Sequence, residues 1–428
     1  METYAVSPEV QKVMSLLVSS TKVKQTLDFL EIDHEKRIAD QIEITEIPAP
    51  PFQEEVRATD YTRRLEELGL EDVRIDKEGN TIGYLKGTKG TPKLVVSAHL
   101  DTVFPEGYDA KVKIDDNGII HAPGISDDSG GLAALLSLIR GLKATGLKTV
   151  GDILFVGTVG EEGIGDLRGV KYLFSSIKDI DGFISVDGDD VGKITYKGLG
   201  SKRFEFTFKG PGGHSFGAFG EIPNPIHAMG RAISKISDIH VPLDPRTTFA
   251  VSVVNGGTSV NSIPESVTML TDTRSECPIE LEKAVSEVVN CAKMGVIEEN
   301  QRWEIAWNSN DNISLDIKLI GDRPPGVSPP DSIHVQAAWA AAAAIDQEPG
   351  LKDAGSTDAN IAINLGVPAM SIGRGGKADK IHSLKEWFDP IDAYLCPQHV
   401  LLTTLALAGL DGVTEPMLPK HPGYEYYS

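Results

Sequence analysis

Leu94-Val95-Val96-Ser97-Ala98-His99-Leu100-Asp101 is a short apolar run that ends on an imidazole and a carboxylate. A run of this length, with paired valines and polar flanks, reads as a buried strand rather than a helix. The pattern returns downstream. Ile153-Leu154-Phe155-Val156 leads into Gly160-Glu161-Glu162-Gly163, Phe183-Ile184-Ser185-Val186 leads into Asp187, and Ala369-Met370-Ser371-Ile372 lies near the end of the chain. Between these runs sit helical stripes, such as Leu132, Leu135, Leu136, Ile139 and Leu142 within Gly131 to Lys143. The alternation predicts an α/β fold, a mixed and largely parallel sheet covered by helices on both faces. In such sheets ligands bind outside the carboxyl ends of the strands, so the acidic and imidazole groups that follow each run should converge in one crevice.

The middle of the chain reads differently. Phe204, Phe206 and Phe208 alternate with Arg203, Glu205 and Thr207, as in a half-buried strand. A helix from Asn224-Pro225 follows, with Ile226, Met229, Ile233 and Ile236 on one stripe. Strands near Phe249 to Val254 and Val267 to Thr273, a helix carrying Leu281, Val285 and Val288, and a strand with Trp303, Ile305 and Trp307 alternating complete a β-α-β-β-α-β order. That order predicts a ferredoxin-like α+β unit, an antiparallel sheet with two helices on one face. Gly198 and Gly200 on one side, and Gly321, Pro324, Pro325 and Gly326 on the other, mark its borders. The expected organisation is therefore a catalytic domain of 1–199 plus 320–428 with a smaller domain, 200–319, inserted in it.

At 428 residues the chain exceeds one compact core, which agrees with two domains. Its formal net charge of −21 argues against nucleic acid or an anionic membrane surface as partner, since both need basic patches. Cys277, Cys291 and Cys396 form no CxxC pair, so neither a disulfide framework nor a thiolate zinc site is signalled, and a reducing, cytoplasmic compartment is the simplest reading. The start Met1-Glu2-Thr3-Tyr4-Ala5-Val6 lacks the basic and apolar regions of an export signal. The small-apolar run from Ala337 to Ile345 is too short to span a bilayer and reads as a buried helix.

Histidine and carboxylates at strand ends suit zinc or a similar divalent ion, held by nitrogen and oxygen. Two neighbouring ions need a shared ligand, and one carboxylate such as Asp127, in Gly124-Ile125-Ser126-Asp127-Asp128, could supply it. Two dications facing Asp127, Glu162 and Asp187 leave a net positive charge, which favours a bound hydroxide and a substrate carbonyl oxygen. A single ion would leave a negative one. Two metals are the better arithmetic.

These pieces, together with Gly210-Pro211-Gly212-Gly213-His214-Ser215, Gly355-Ser356-Thr357-Asp358 and His382, stand in an order that resembles the co-catalytic zinc exopeptidase family of peptidase T, glutamate carboxypeptidase, aminoacylase and succinyl-diaminopimelate desuccinylase. The likeness covers nearly the whole chain. It implies two Zn2+ per subunit, with Co2+ or Mn2+ as substitutes: His99 and Asp187 on one ion, Glu162 and His382 on the other, and Asp127 bridging. It also implies Glu161 as general base and Asp101 as the group that orients His99, since a ligating imidazole usually donates its other N–H to a carboxylate. In the family the small domain is a lid and dimerisation domain whose histidine, here His214, reaches the partner subunit's site and meets the oxyanion, so a homodimer is implied. Asn261 and Arg274 resemble substrate contacts, and an arginine fork suits a carboxylate. Three positions depart from the common pattern: Ser129 follows the Asp pair where many relatives carry lysine, Gly160 precedes the Glu pair where an acid is common, and Asp187 is aspartate rather than glutamate. The last leans toward peptidase T-like and dipeptidase members.

The expected activity is hydrolysis of a terminal amide bond of small peptides, by a peptidase T-like aminopeptidase or tripeptidase. N-acyl amino acid deacylase and glutamate-type carboxypeptidase share the chemistry, and a catalytically silent peptide-binding homologue is the rival of another class. Asp127 has a local competitor, because an acid just before a helix caps it with or without metal. Asp358 has the same ambiguity and is left out of the ligand set. The glycines around His214 lack the last glycine of a GxGxxG phosphate loop. Arg374 reads as a surface cation, and His34, His121, His227, His240, His334, His399 and His421 as structural or surface groups.

Overall fold

Along the strand Lys93–His99 side chains alternate between two cores in the computed structural model, which describes residues 4–188, 190–305 and 309–426. Leu94, Val96 and Ala98 join Leu132, Leu135 and Ile139 of helix Ser129–Thr145, whereas Val95 joins Val170, Leu173 and Phe174 of helix Arg168–Ser176. The adjacent strand Asp152–Thr158 divides in the same way, Ile153 and Phe155 to one side and Leu154 and Val156 to the other. Two apolar faces make a strand read as a continuous hydrophobic run, and each such side chain contributes roughly 1.5–3 kcal/mol by leaving water.

This sheet belongs to the first of two units, the chain up to Gly198 and from Val327 onward. Its eight strands lie in the order Glu71–Ile75, Thr81–Leu85, Asp152–Thr158, Lys93–His99, Gly182–Gly188, Ala369–Gly373, Lys193–Thr195, Gly350–Lys352. The four strands from Asp152–Thr158 to Ala369–Gly373 are mutually parallel, while Thr81–Leu85 and Lys193–Thr195 flank them antiparallel. The expected mixed, largely parallel α/β sheet is present. A separate four-stranded antiparallel sheet, Lys377–Asp379, Trp387–Asp389, Ile120–His121 and Lys113–Ile114, carries the segment around His382. The alanine run lies in the helix Ile333–Ala344, with Ala337, Ala338, Ala341 and Ala342 buried, and no described helix is long and apolar enough to cross a membrane.

The helix Ser129–Thr145 starts where it does because the Asp128 carboxylate accepts the Gly131 N–H at 3.2 Å, and it stops at Gly146, whose φ of 62° a glycine adopts without strain. Gly131 is fixed by close approach: a Cβ there would lie 2.3 Å from the Val186 carbonyl oxygen.

The second unit, Leu199–Gly326, is built from four antiparallel strands in the order Thr247–Gly256, Ser266–Ser275, Gly200–Lys209, Ser314–Arg323. Phe206, Phe208, Val267 and Met269 pack against Ala228, Met229 and Ala232 of helix Pro225–Ser237 and against Val288 and Ala292 of helix Pro278–Arg302. With the strands numbered in chain order the sheet reads 2-3-1-4, the ferredoxin-like arrangement. One expectation fails. The fourth strand is Ser314–Arg323, not the segment around Trp303: helix Pro278–Arg302 runs up to Trp303, whose N–H caps it, and Trp307 lies outside the described residues. Trp303 alternates with Ile305 by accident of spacing, while its indole N–H is held by Glu299 at 2.8 Å, one helical turn back. The strand also carries the unit past the boundary expected at 319.

Two alanine substitutions test this packing. Gly131→Ala should lower stability by about 1–3 kcal/mol through overpacking, whereas Gly230→Ala, on an exposed helical position with open space around it, should raise it by about 0.5–1 kcal/mol. Denaturant unfolding of the two variants checks the pair; shifts of equal sign and size would contradict the packing described.

Candidate metal centre

Four parallel strands bring their carboxyl ends to one edge of the sheet, and each delivers a group there: His99, the Glu161-Glu162 turn, Asp187 and Arg374. The loop before helix Ser129–Thr145 adds Asp127, and the segment between Asp379 and Trp387 adds His382. Asp127 is the meeting point. Its Oδ1 lies 3.0 Å from His99 Nε2, and its Oδ2 lies 3.0 Å from His382 Nε2. His382 Nε2 is also 2.9 Å from Glu162 Oε1. Three donor groups, Asp127/Glu162/His382, His99/Asp128/Asp187 and His99/Glu161/Glu162, each fall within 4.8 Å. The residues expected at the centre are thus brought together.

This donor set fits divalent metal. His99 Nδ1 lies 3.0 Å from the Asp101 carbonyl oxygen, which holds the proton on Nδ1 and aims the Nε2 lone pair at a carboxylate oxygen. His382 Nε2 faces two carboxylate oxygens, which one N–H cannot serve equally. A cation bound at about 2.0–2.2 Å resolves both conflicts, since its ligand atoms then sit roughly 3 Å apart. Without one, protons fill the same role. Hydrogen bonds to Asp127 and Glu162 push His382 up to about 10. Burial opposes charge on His99, yet the Asp127 contact and the fields of Asp128 and Asp187 hold it well above the usual imidazole range. Burial likewise works against Asp127, but Arg374, His382 and His99 hold its carboxyl well below the ordinary value. Asp187 rises well above it, through burial and the nearby Asp128 and Asp127 carboxylates.

Around these groups stands a frame that sequence reading placed only in part. Asp128, not Asp127, caps the helix; its Oδ2 also accepts the His99 backbone N–H at 2.9 Å, and burial pushes it up to about 7. The capping explanation of Asp127 is removed, and its carboxylate is left facing the two histidines. Asp101 was expected to meet His99 through its carboxylate, but Oδ1 is 3.7 Å from Nδ1 and the backbone carbonyl takes the imidazole instead. The carboxylate accepts the N–H groups of Glu161 and Glu162 at 3.0 and 2.8 Å, fixing the turn between them. Asp358 accepts the Thr158 hydroxyl, in keeping with its exclusion from the ligand set.

Arg374 is corrected outright. It is 3 % exposed, with Nη1 at 2.6 Å from Asp127 Oδ1 and 3.3 Å from Asp187 Oδ1. Its place after Gly373, the end of a fourth parallel strand, was the signal that would have found it. Glu386 was also missed. Its carboxylate accepts Gly124 N–H at 2.9 Å, Ser126 N–H at 2.8 Å and Asp127 N–H at 3.2 Å, and burial pushes it up to about 7 against those donors. An acid four residues after His382 was its only trace in the sequence.

His214, Asn261 and Arg274 lie in the second unit. A short ribbon pairs His214 with Ser262, and the Asn261 carbonyl accepts the Ser215 N–H at 3.0 Å, so the first two are neighbours. His214 Nδ1 accepts from the N–H groups of Phe216 and Gly217, which places the ring proton on Nε2 and leaves an exposed donor. Asn261 Oδ1 is held by the Ser259 hydroxyl, leaving its NH2 as donor. Arg274 does not join them. It sits at the far end of the strand Ser266–Ser275, about 26 Å along from Ser266 at the usual strand rise, with Nε on Asp272 at 2.7 Å.

Residues 95–406 match the model of Peptidase family M20/M25/M40. The uncharacterized protein YqjE of Bacillus subtilis is 28% identical over 368 residues, 82% of this chain and 93% of that protein. Among solved structures, aminopeptidase PepT from Bacillus cereus superposes with a TM-score of 0.69 at 24% identity, over 86% of this chain and 97% of that one. YXEP of Bacillus subtilis, a dinuclear metal-binding peptidase of the M20 family, gives 0.64 at 18% identity, over 88% and 99%. The fold is shared with these proteins, and with the family match spanning most of its length this chain belongs to the M20/M25/M40 peptidase family and is a hydrolase.

Proposed function

We propose that this chain is a two-zinc metallo-exopeptidase, a peptidase T-like aminopeptidase or tripeptidase that hydrolyses a terminal amide bond of small peptides. The observation that carries the reading is the division of Asp127, one carboxylate oxygen toward His99 and the other toward His382. In this reading His99 and Asp187 would hold one ion, Glu162 and His382 the other, and Asp127 would be shared between them. Nitrogen and oxygen donors favour zinc, with Co2+ or Mn2+ as substitutes. When bound, the ions polarise the scissile carbonyl and lower the pKa of water.

Glu161 takes a proton from the attacking water and returns it to the leaving amine. The Asp101 carboxylate holds its backbone N–H, which keeps its side chain beside His99 and Glu162. Arg374 and Asp128 carry opposite charges, so between them they leave the balance of two ions and three acidic ligands as it was. His214 offers Nε2–H to the developing oxyanion of a partner subunit, which makes the homodimer the active form. The Asn261 amide, beside His214, contacts the substrate, and Arg274, which stands apart from that pair at the other end of its strand, meets the substrate carboxylate independently of them. The inserted unit, Leu199–Gly326, is then lid and dimerisation domain for the catalytic unit formed by the rest of the chain. Cys277, Cys291 and Cys396 are unpaired thiols, which suits a cytoplasmic location.

Two experiments follow. Metal analysis should find two ions per chain, and Glu161→Gln should lower turnover of a tripeptide by roughly 10²–10⁴-fold with the metal content unchanged; one ion per chain, or retained turnover, contradicts the assignment. Di- and tripeptides assayed beside N-acyl amino acids in the same series separate the peptidase from a deacylase. Glu386→Gln replaces one of two accepting oxygens with an NH2 that meets a backbone donor head-on, so it should lower stability by about 1–3 kcal/mol and weaken metal retention against a chelator. Retention equal to the parent's would show that Glu386 does not hold the Asp127 loop.

A further inference from the structure

The first unit has a hollow of about 410 Å³ lined in part by the segment from Leu384 to Trp387. Its wall is the antiparallel sheet on which Lys113 pairs with His121, and His121 with Trp387. Lys111, Lys380 and Lys385 complete the rim. The ammonium groups of Lys111, Lys113, Lys380 and Lys385 have no side-chain partner among the described residues, in a chain whose net charge is −21.

Four ammonium groups around one concavity repel one another, and an acidic protein has carboxylates enough to neutralise them. The carboxylates at hand are engaged or too few. Glu386 is turned to the N–H groups of Gly124, Ser126 and Asp127, and Asp115 meets His121 at 3.2 Å, which leaves Asp109 as the remaining acid of the lining. Lysines are compact, flexible point charges that suit oxyanions of varied shape. The indole of Trp387 and the exposed Leu384 offer an apolar flank.

We propose that this hollow binds a small, multiply charged oxyanion of the phosphate or dicarboxylate class. Lys380 and Lys385 flank His382 in one loop, and Lys380 and His382 both have positive φ, 56° and 65°, conformations that side chains other than glycine adopt at a cost. An anion bridging Lys380 and Lys385 to Lys113 therefore braces the loop that carries His382. The binding does not depend on which amide the protein hydrolyses.

The test uses the full metal-loaded chain, titrated with inorganic phosphate and, separately, with succinate at constant ionic strength. Tryptophan fluorescence and calorimetry follow binding, with Trp387→Phe identifying the reporting indole. Saturable binding is expected, weakened about tenfold in the exposed pair Lys113→Gln/Lys385→Gln, whose fold is checked by circular dichroism and metal content. Lys12→Gln/Lys24→Gln, on the N-terminal helices, should bind as the parent does. Competition between phosphate and peptide substrate that is lost in the Lys113/Lys385 pair assigns the hollow to an acidic end of the substrate, and phosphate that binds there without competing assigns it to a free anion; each keeps the site. Absence of saturable binding by either probe, or binding unchanged in the Lys113/Lys385 pair, overturns the proposal.

Discussion

One carboxylate held between two imidazole nitrogens sets the terms for the rest of this site. Asp127 presents an oxygen to each of His99 and His382 at 3.0 Å, and each contact needs positive charge, a proton or a cation, between the nitrogen and the oxygen. Protons can supply it, as the raised imidazoles of both histidines express. Divalent ions supply it with directional bonds and with the Lewis acidity that amide hydrolysis needs. Everything near Asp127 can be understood as keeping that carboxylate divided.

The frame does so with backbone N–H groups and one arginine. Glu386 gathers three N–H donors from the loop that bears Asp127, Asp128 ties the strand end at His99 to the start of helix Ser129–Thr145, and Asp101 fixes the Glu161-Glu162 turn. Arg374, buried between Asp127 and Asp187, offsets part of the repulsion among these acids. Acidic groups thus serve two purposes here. Some face the space where ions fit, and others face amides and orient the first set. The sequence gives both the same letters.

That difference explains how far the site could be read without coordinates. That His99, Asp127, Glu162, Asp187 and His382 meet was legible because the strand ends at His99 and Asp187, the turn at Glu162 and the family order of the whole set pointed to one place. The α/β sheet was legible from runs such as Leu94 to Ala98, whose two apolar faces leave a continuous signal, and the second unit from the alternation at Phe204 to Phe208. Arg374 was not, since a charged residue among glycines looks like a surface loop until the parallel strand before it is placed. Glu386 was hidden because its partners are backbone N–H groups, which no side-chain pattern records. The last strand of the second unit was misread because Trp303 and Ile305 mimic a period of two, whereas the strand that forms, Ser314–Arg323, is an edge whose residues from Asp316 to Leu319 are exposed on both faces.

The bridging role of Asp127 is the claim on which the account stands, and anomalous diffraction from crystals grown with zinc tests it most directly. Two peaks about 3.5–4 Å apart, one beside His99 and one beside His382 with the Asp127 carboxylate between them, are the predicted result. A single peak, or two peaks of which Asp127 touches only one, would contradict it.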